Sequence, residues 1–160
     1  MFASDVIRLN AGFDDAQAGL VRLARGNFLW RASGTAYNEG AAGLARGGPV
    51  GPVLSLPRLV NVRWLEPVVR DVFTCLPMRW EVAGKGGSPF PVLDANIVLV
   101  PHHQGDTVLE VSGAYRQSHG TLGAELDRTV LQGIAEATIR AFTRHVGVAI
   151  IAATRPADLN

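Results

Sequence analysis

Histidines, tyrosines and paired charges are where chemistry can begin in this chain, and they are sparse. His102, His103 and Asp106 bring two imidazoles and a carboxylate close together, a donor set that zinc accepts. They fall in a predicted hairpin turn, where adjacent side chains diverge and Gly105-Asp106 is ordinary turn chemistry. A metal also needs a converging third ligand, for which His119 is the nearest recruit, so the turn reading is preferred and no metal is assigned. His145 lies within a long helical repeat, on the apolar stripe, where an imidazole can contact a ligand, move a proton, or rest on one hydrogen bond at the edge of the core. Tyr115 and Thr107 share the inward parity of one strand. Tyr115 is either an orienting donor in a cavity or a core tyrosine with its tip in solvent. Trp64 and Trp80, also inward, stack on a flat ligand or simply pack.

The remaining polar residues suit a surface better than a site. Arg79, Glu81, Asp94, Glu110 and Arg116 have the composition of an acid–base set, but strand parity sends them to the other side of the sheet, where cross-strand ion pairs explain them. Cys75 is read as a small buried hydrophobe. No stretch matches GxSxG, the P-loop, HExxH or GxGxxG, which removes those common enzyme classes.

The element that must position these residues is the last one. Leu126, Val130, Ile134, Ala137, Ala141, His145 and Ala149 recur at three or four, one face of an amphipathic helix, with Glu136 and Arg140 in the favourable i,i+4 order. A rod of roughly 45 Å needs a sheet to lie on. That sheet is read from the alternating segments: a first strand around Asp5–Asn10, Val60–Trp64, one bent strand or two over Val68–Val82 around Pro77, Val92–Val100, and Thr107–Arg116, the last two forming a hairpin. Between the first two strands, Asp14 and Gln17 suggest a capping box opening a helix, and Tyr37–Ala45 suggests a second. Arg46 to Pro57 reads as loop with a little edge strand, Gly84 to Pro89 as a turn, and Gly120-Thr121 leads into the final helix. The expectation is an α+β fold, a curved antiparallel sheet of about six or seven strands around a long C-terminal helix, with one or two short helices after the first strand, in one domain over residues 1–160.

Composition sets the outer limits. The chain of 160 residues is 48% apolar and 18% charged, enough for a full-sized core. A formal net charge of +1 gives no electrostatic case for nucleic acid or an anionic membrane. The single cysteine excludes an internal disulfide and fits a reducing cytoplasm. No segment has the uninterrupted apolar run of a membrane span or a leader, so a soluble, unprocessed protein, monomer or homodimer, is expected.

The second half carries a resemblance. Pro77-Met78-Arg79-Trp80-Glu81, Phe90-Pro91-Val92-Leu93-Asp94-Ala95, Gly113-Ala114-Tyr115 and Gly120-Thr121-Leu122-Gly123 followed by Asp127 resemble bacterial members of the SRPBCC superfamily, the START-like helix-grip fold of polyketide cyclases and lipid-transfer domains. The resemblance implies a mostly apolar cavity between sheet and final helix, holding a small apolar or aromatic molecule and no cofactor. Its lining candidates are Trp64, Trp80, Thr107, Leu109, Val111, Tyr115, Val130, Ile134, Ala141 and His145. The alternatives are a polyketide cyclase or dehydratase-like enzyme with His145 and Tyr115 as acid and base, and a protein-interaction module or homodimer joined along an edge strand or through the loop near Pro49.

Overall fold

The computed structural model describes residues 1–45, 60–82, 92–116 and 128–154. In chain order the elements are β1 (Phe2–Leu9), α1 (Phe13–Arg25), α2 (Phe28–Ala45), β2 (Val60–Trp64), β3 (Val68–Val69), β4 (Thr74–Val82), β5 (Val92–Pro101), β6 (Thr107–Arg116) and α3 (Arg128–Thr154). Among the described residues the six strands form one curved antiparallel sheet in the order β1-β6-β5-β4-β2, with β3 also pairing with β4. The α+β architecture is the one expected. The loops expected over Arg46–Pro57 and Gly84–Pro89, the Gly120-Thr121 entry to the last helix, and His119 lie outside the described residues.

Alternation does what period two requires. Leu76, Met78 and Trp80 on β4, Leu93, Ala95, Ile97 and Leu99 on β5, and Thr107, Leu109, Val111 and Tyr115 on β6 are buried on one face. The opposite face carries ion pairs: Arg79 with Glu81 at 2.8 Å and Asp94 at 3.7 Å, and Arg116 with Asp94 at 2.6 Å. These are exposed pairs that fix little energy and keep the outer face wet.

Pro77 lies inside β4 without breaking it. The strand keeps its register with β5 through Pro77↔Asn96, and the interruption falls on the other side. There Leu65 N–H donates to Pro77 O at 3.0 Å, just beyond the last β2 pair, Trp64↔Met78. The return hydrogen bond would need the amide hydrogen that proline lacks, so the partner strand leaves at this point and pairing resumes with β3.

Three local expectations are corrected. Helix α1 is capped by Gly12, whose carbonyl accepts from Ala16 N–H at 2.9 Å, with no side-chain cap. Asp14 is already inside the helix, and Gln17 donates instead to Thr74 Oγ1 at 2.7 Å and Arg70 O at 3.3 Å, pinning α1 to the β3–β4 turn. Helix α2 begins at Phe28, nine residues before Tyr37, because only Gly26-Asn27 separates it from α1 and Arg31 N–H bonds Asn27 O at once. In α3 the stripe is rotated by about one residue, or 100°. The largest buried side chains are Leu131, Ile134, Ile139, Phe142, Val146 and Ile150, with Ala135, Thr138, Ala141 and Thr143 also buried, while Ala137, His145 and Ala149 are only partly covered.

That rotation has a cause. Helix α3 is buried on two sides, by the sheet and by α2, so its apolar arc is wider than one stripe. Against the sheet, Phe142 meets Trp80, and a Cβ on Gly147 would run into Ile7 and Leu9 of β1. Against α2, Gly40 lies so close to α3 that its missing Cβ would stand 2.5 Å from Thr138 Oγ1 and 3.2 Å from Ile134 O. Glycine permits that approach, which is why α2 keeps it despite its low helix propensity.

Candidate ligand site

Cover over the inner face is uneven. Inward residues of β5 and β6 are buried, but Val62 and Trp64 on β2 are only partly so. Register sets Val62 beside Trp80 and Trp64 beside Met78, which makes the two tryptophans diagonal neighbours on one face. Trp80 is 3% exposed and stands edge-on to Phe142, ring centroids 4.8 Å apart. At the thinly covered end a cleft of about 440 Å³ lies between α1 and the turn after β2, walled by Val21, Ala24, Arg25, Trp64 and Glu66, with Leu76 at its floor. This volume is within the range of small-molecule sites.

Most polar groups in the core are already engaged. Thr107 Oγ1 donates to Ala11 O at 2.8 Å, Tyr115 OH to Gln132 Oε1 at 2.8 Å, Ser33 Oγ to Leu29 O at 2.6 Å and Thr143 Oγ1 to Ile139 O at 2.8 Å, while Thr74 Oγ1 accepts from Gln17. Burial and the nearby Glu136 carboxylate hold the Tyr115 phenol above its ordinary pKa, so it stays a neutral donor. Among the described residues Trp80 Nε1 and Thr138 Oγ1 are buried without a hydrogen-bond partner. Thr138 Oγ1 lies at the α2–α3 contact beside Gly40. Leaving a donor such as the Trp80 N–H dry costs about 1–3 kcal/mol. No charged side chain is fully buried among the described residues.

The residues expected to line one cavity are dispersed along the molecule. Trp64 and Trp80 are brought together at the β2–β4 end. Thr107 and Tyr115 share a face of β6 but stand eight residues apart, about 26 Å. Leu109, Val111 and Ile134 pack in the closed core. Ala141 is buried, and His145, expected to face the sheet, turns to α2, with Nε2 3.1 Å from Glu39 Oε1 and 30% of its side chain exposed. Arg144 holds the other Glu39 oxygen at 2.9 Å. His145 is thirteen residues from Gln132, the partner of Tyr115, about 20 Å along the helix, so the two do not converge as acid and base. Val130 is in α3, and its side chain lies outside the description.

The other candidates stand as surface and turn residues. His102 and His103 are exposed, their rings 5.3 Å apart around a 3₁₀ turn, and the Asp106 carboxylate is engaged by Arg8. Among the described residues no group of three or more His, Cys, Asp or Glu is placed to hold a metal. Cys75 is half-buried, and burial raises its thiol pKa, away from thiolate reactivity. No helix among the described residues is long and apolar enough to cross a membrane. Two further clefts lie on the outer face beside Arg63, Pro77 and Asn96, about 390 Å³, and between β1 and α3 beside Ile7, Arg144 and Val148, about 720 Å³.

Of the residues that wall the cleft at Trp64, Leu76 was not singled out from the sequence; it had the right parity, and the missing information was which end of the sheet the helices leave thinly covered.

Comparison with solved structures places the architecture. The chain is similar in fold to a conserved protein from Geobacillus kaustophilus, with a TM-score of 0.53 and 14% identity over 95% of this chain and 96% of that one. It is likewise similar to a hypothetical protein from Helicobacter pylori, with a TM-score of 0.52 and 14% identity over 97% and 88%. At this identity the likeness concerns the fold alone. No protein-family description matches the chain, and no curated protein matches it.

Proposed function

We propose that the protein binds and carries a small, mostly apolar or aromatic molecule on the inner face of the sheet at its β2–β4 end, in the manner of START-like domains of the SRPBCC superfamily. The observation that carries this reading is the buried Trp80 N–H without a partner, on the same face as Trp64, whose side chain walls the cleft. A carrier of this kind holds its cargo by apolar burial, about 2.5 kcal/mol for each 100 Å² removed from water before the costs of association. Trp64, Val21 and Ala24 supply such surface, and Trp80 supplies direction. The cyclase-like alternative is not adopted, because His145 lies about 20 Å along α3 from Gln132, the residue that holds the Tyr115 hydroxyl.

Native mass spectrometry of freshly purified protein tests the reading. The expected spectrum shows a noncovalent adduct of a few hundred daltons, on the order of a ligand that fits such a pocket, and the adduct is shed at raised collision energy. An adduct-free protein that also shows no thermal shift with any member of an apolar and aromatic compound set would overturn it.

A further inference from the structure

The carrier reading leaves the chemistry of the cargo undefined, and the polar inventory of the interior narrows it. Resting on that reading, we infer that the end of the ligand meeting Trp80 is uncharged and presents one hydrogen-bond acceptor, a ketone, ester or amide carbonyl, to the indole Nε1.

Trp80 Nε1 is a donor only, so its complement is an acceptor. Thr107, Tyr115, Ser33 and Thr143 are committed to partners inside the protein. A carboxylate or phosphate on that face would meet one neutral donor and no buried cation, since none of the described charged side chains is fully buried, and an ion so placed is poorly compensated. A hydrocarbon lacking any acceptor would leave the indole N–H as dry as it is without a ligand. The charges in the cleft, Arg25 and Glu66, are of opposite sign. They share the cleft with Trp64, the diagonal neighbour of Trp80, and as an opposite-sign set they offer an anion no net attraction there.

Three naphthalenes that differ in one substituent test this: 2-acetylnaphthalene, 2-naphthoate and 2-ethylnaphthalene, each titrated calorimetrically into the intact protein and into Trp80→Phe. The expected order places the ketone about tenfold tighter than either analogue. Trp80→Phe abolishes that advantage while retaining 2-ethylnaphthalene, which shows that the pocket survives. The inference is overturned, with the carrier reading intact, if 2-naphthoate binds as well as the ketone or if the ketone's advantage persists in Trp80→Phe. Both fall together if none of the three binds. Should Trp80→Phe fail to fold, the ranking in the unmodified protein decides alone.

Discussion

At Trp80 a phenyl ring would pack against Phe142 much as the indole does, yet the chain places an N–H in the core with nothing among the described residues to receive it. If that donor is dry in the ligand-free protein, Trp80→Phe removes an unsatisfied group as well as some volume, and the two effects oppose each other. The ligand-free variant is expected to unfold within about 1 kcal/mol of the parent in urea; a loss above about 3 kcal/mol would show that the N–H is satisfied inside the protein. Tyr115 is the contrasting case. Tyr115→Phe strands Gln132 Oε1 and is expected to cost about 1 kcal/mol. Because the folded phenol titrates above its ordinary value near 10, the stability it confers is complete below that pH and is lost as pH rises toward the folded value. Urea midpoints across the alkaline range should fall for the parent and fall less for Tyr115→Phe. Parity made both residues legible as inward-facing. Which of them had a partner was not legible, because Gln132 lies on another element and satisfaction is a tertiary property.

Among the elements, α3 shows how period and phase separate. Its length and helical repeat were readable, but a helix buried on two sides has more than one apolar row, and His145, expected to face the sheet, turns to Glu39 of α2. No periodicity within one helix reports which neighbour takes which row. Gly40 is the sharpest consequence. In an exposed helix, Gly→Ala would stabilise by about 1 kcal/mol. Here the added methyl would meet the Thr138 backbone nitrogen at 2.9 Å, so Gly40→Ala is expected to destabilise by about 1–3 kcal/mol. A thermal melt that rises for Gly40→Ala would contradict the close α2–α3 crossing. Pro77 was recognised as an interruption, but its effect falls on the β2–β3 side alone, since a residue's two hydrogen-bonding edges serve different neighbours only once the sheet order is known.

Over the whole molecule, the order of elements and the antiparallel sheet followed from local signals, namely period two, period 3.6 and turn residues. The candidate site did not, because it depends on where the helices cover the sheet least, a property of the assembled layers. The described structure puts tight contact at Gly147 and Phe142 and thinner cover at Val62 and Trp64, which moves the candidate site from the middle of the helix to one end of the sheet. The three tryptophans, Trp30, Trp64 and Trp80, give a direct test, since each contributes one indole N–H signal to a ¹⁵N–¹H correlation spectrum and Trp30, 45% exposed on α2, is not part of the proposed site. On titration with 2-acetylnaphthalene the account predicts that the Trp80 and Trp64 signals shift together, the Trp80 proton moving downfield as it gains an acceptor, while Trp30 stays in place. A titration in which Trp80 and Trp64 do not move, or in which Trp30 alone responds, would contradict it.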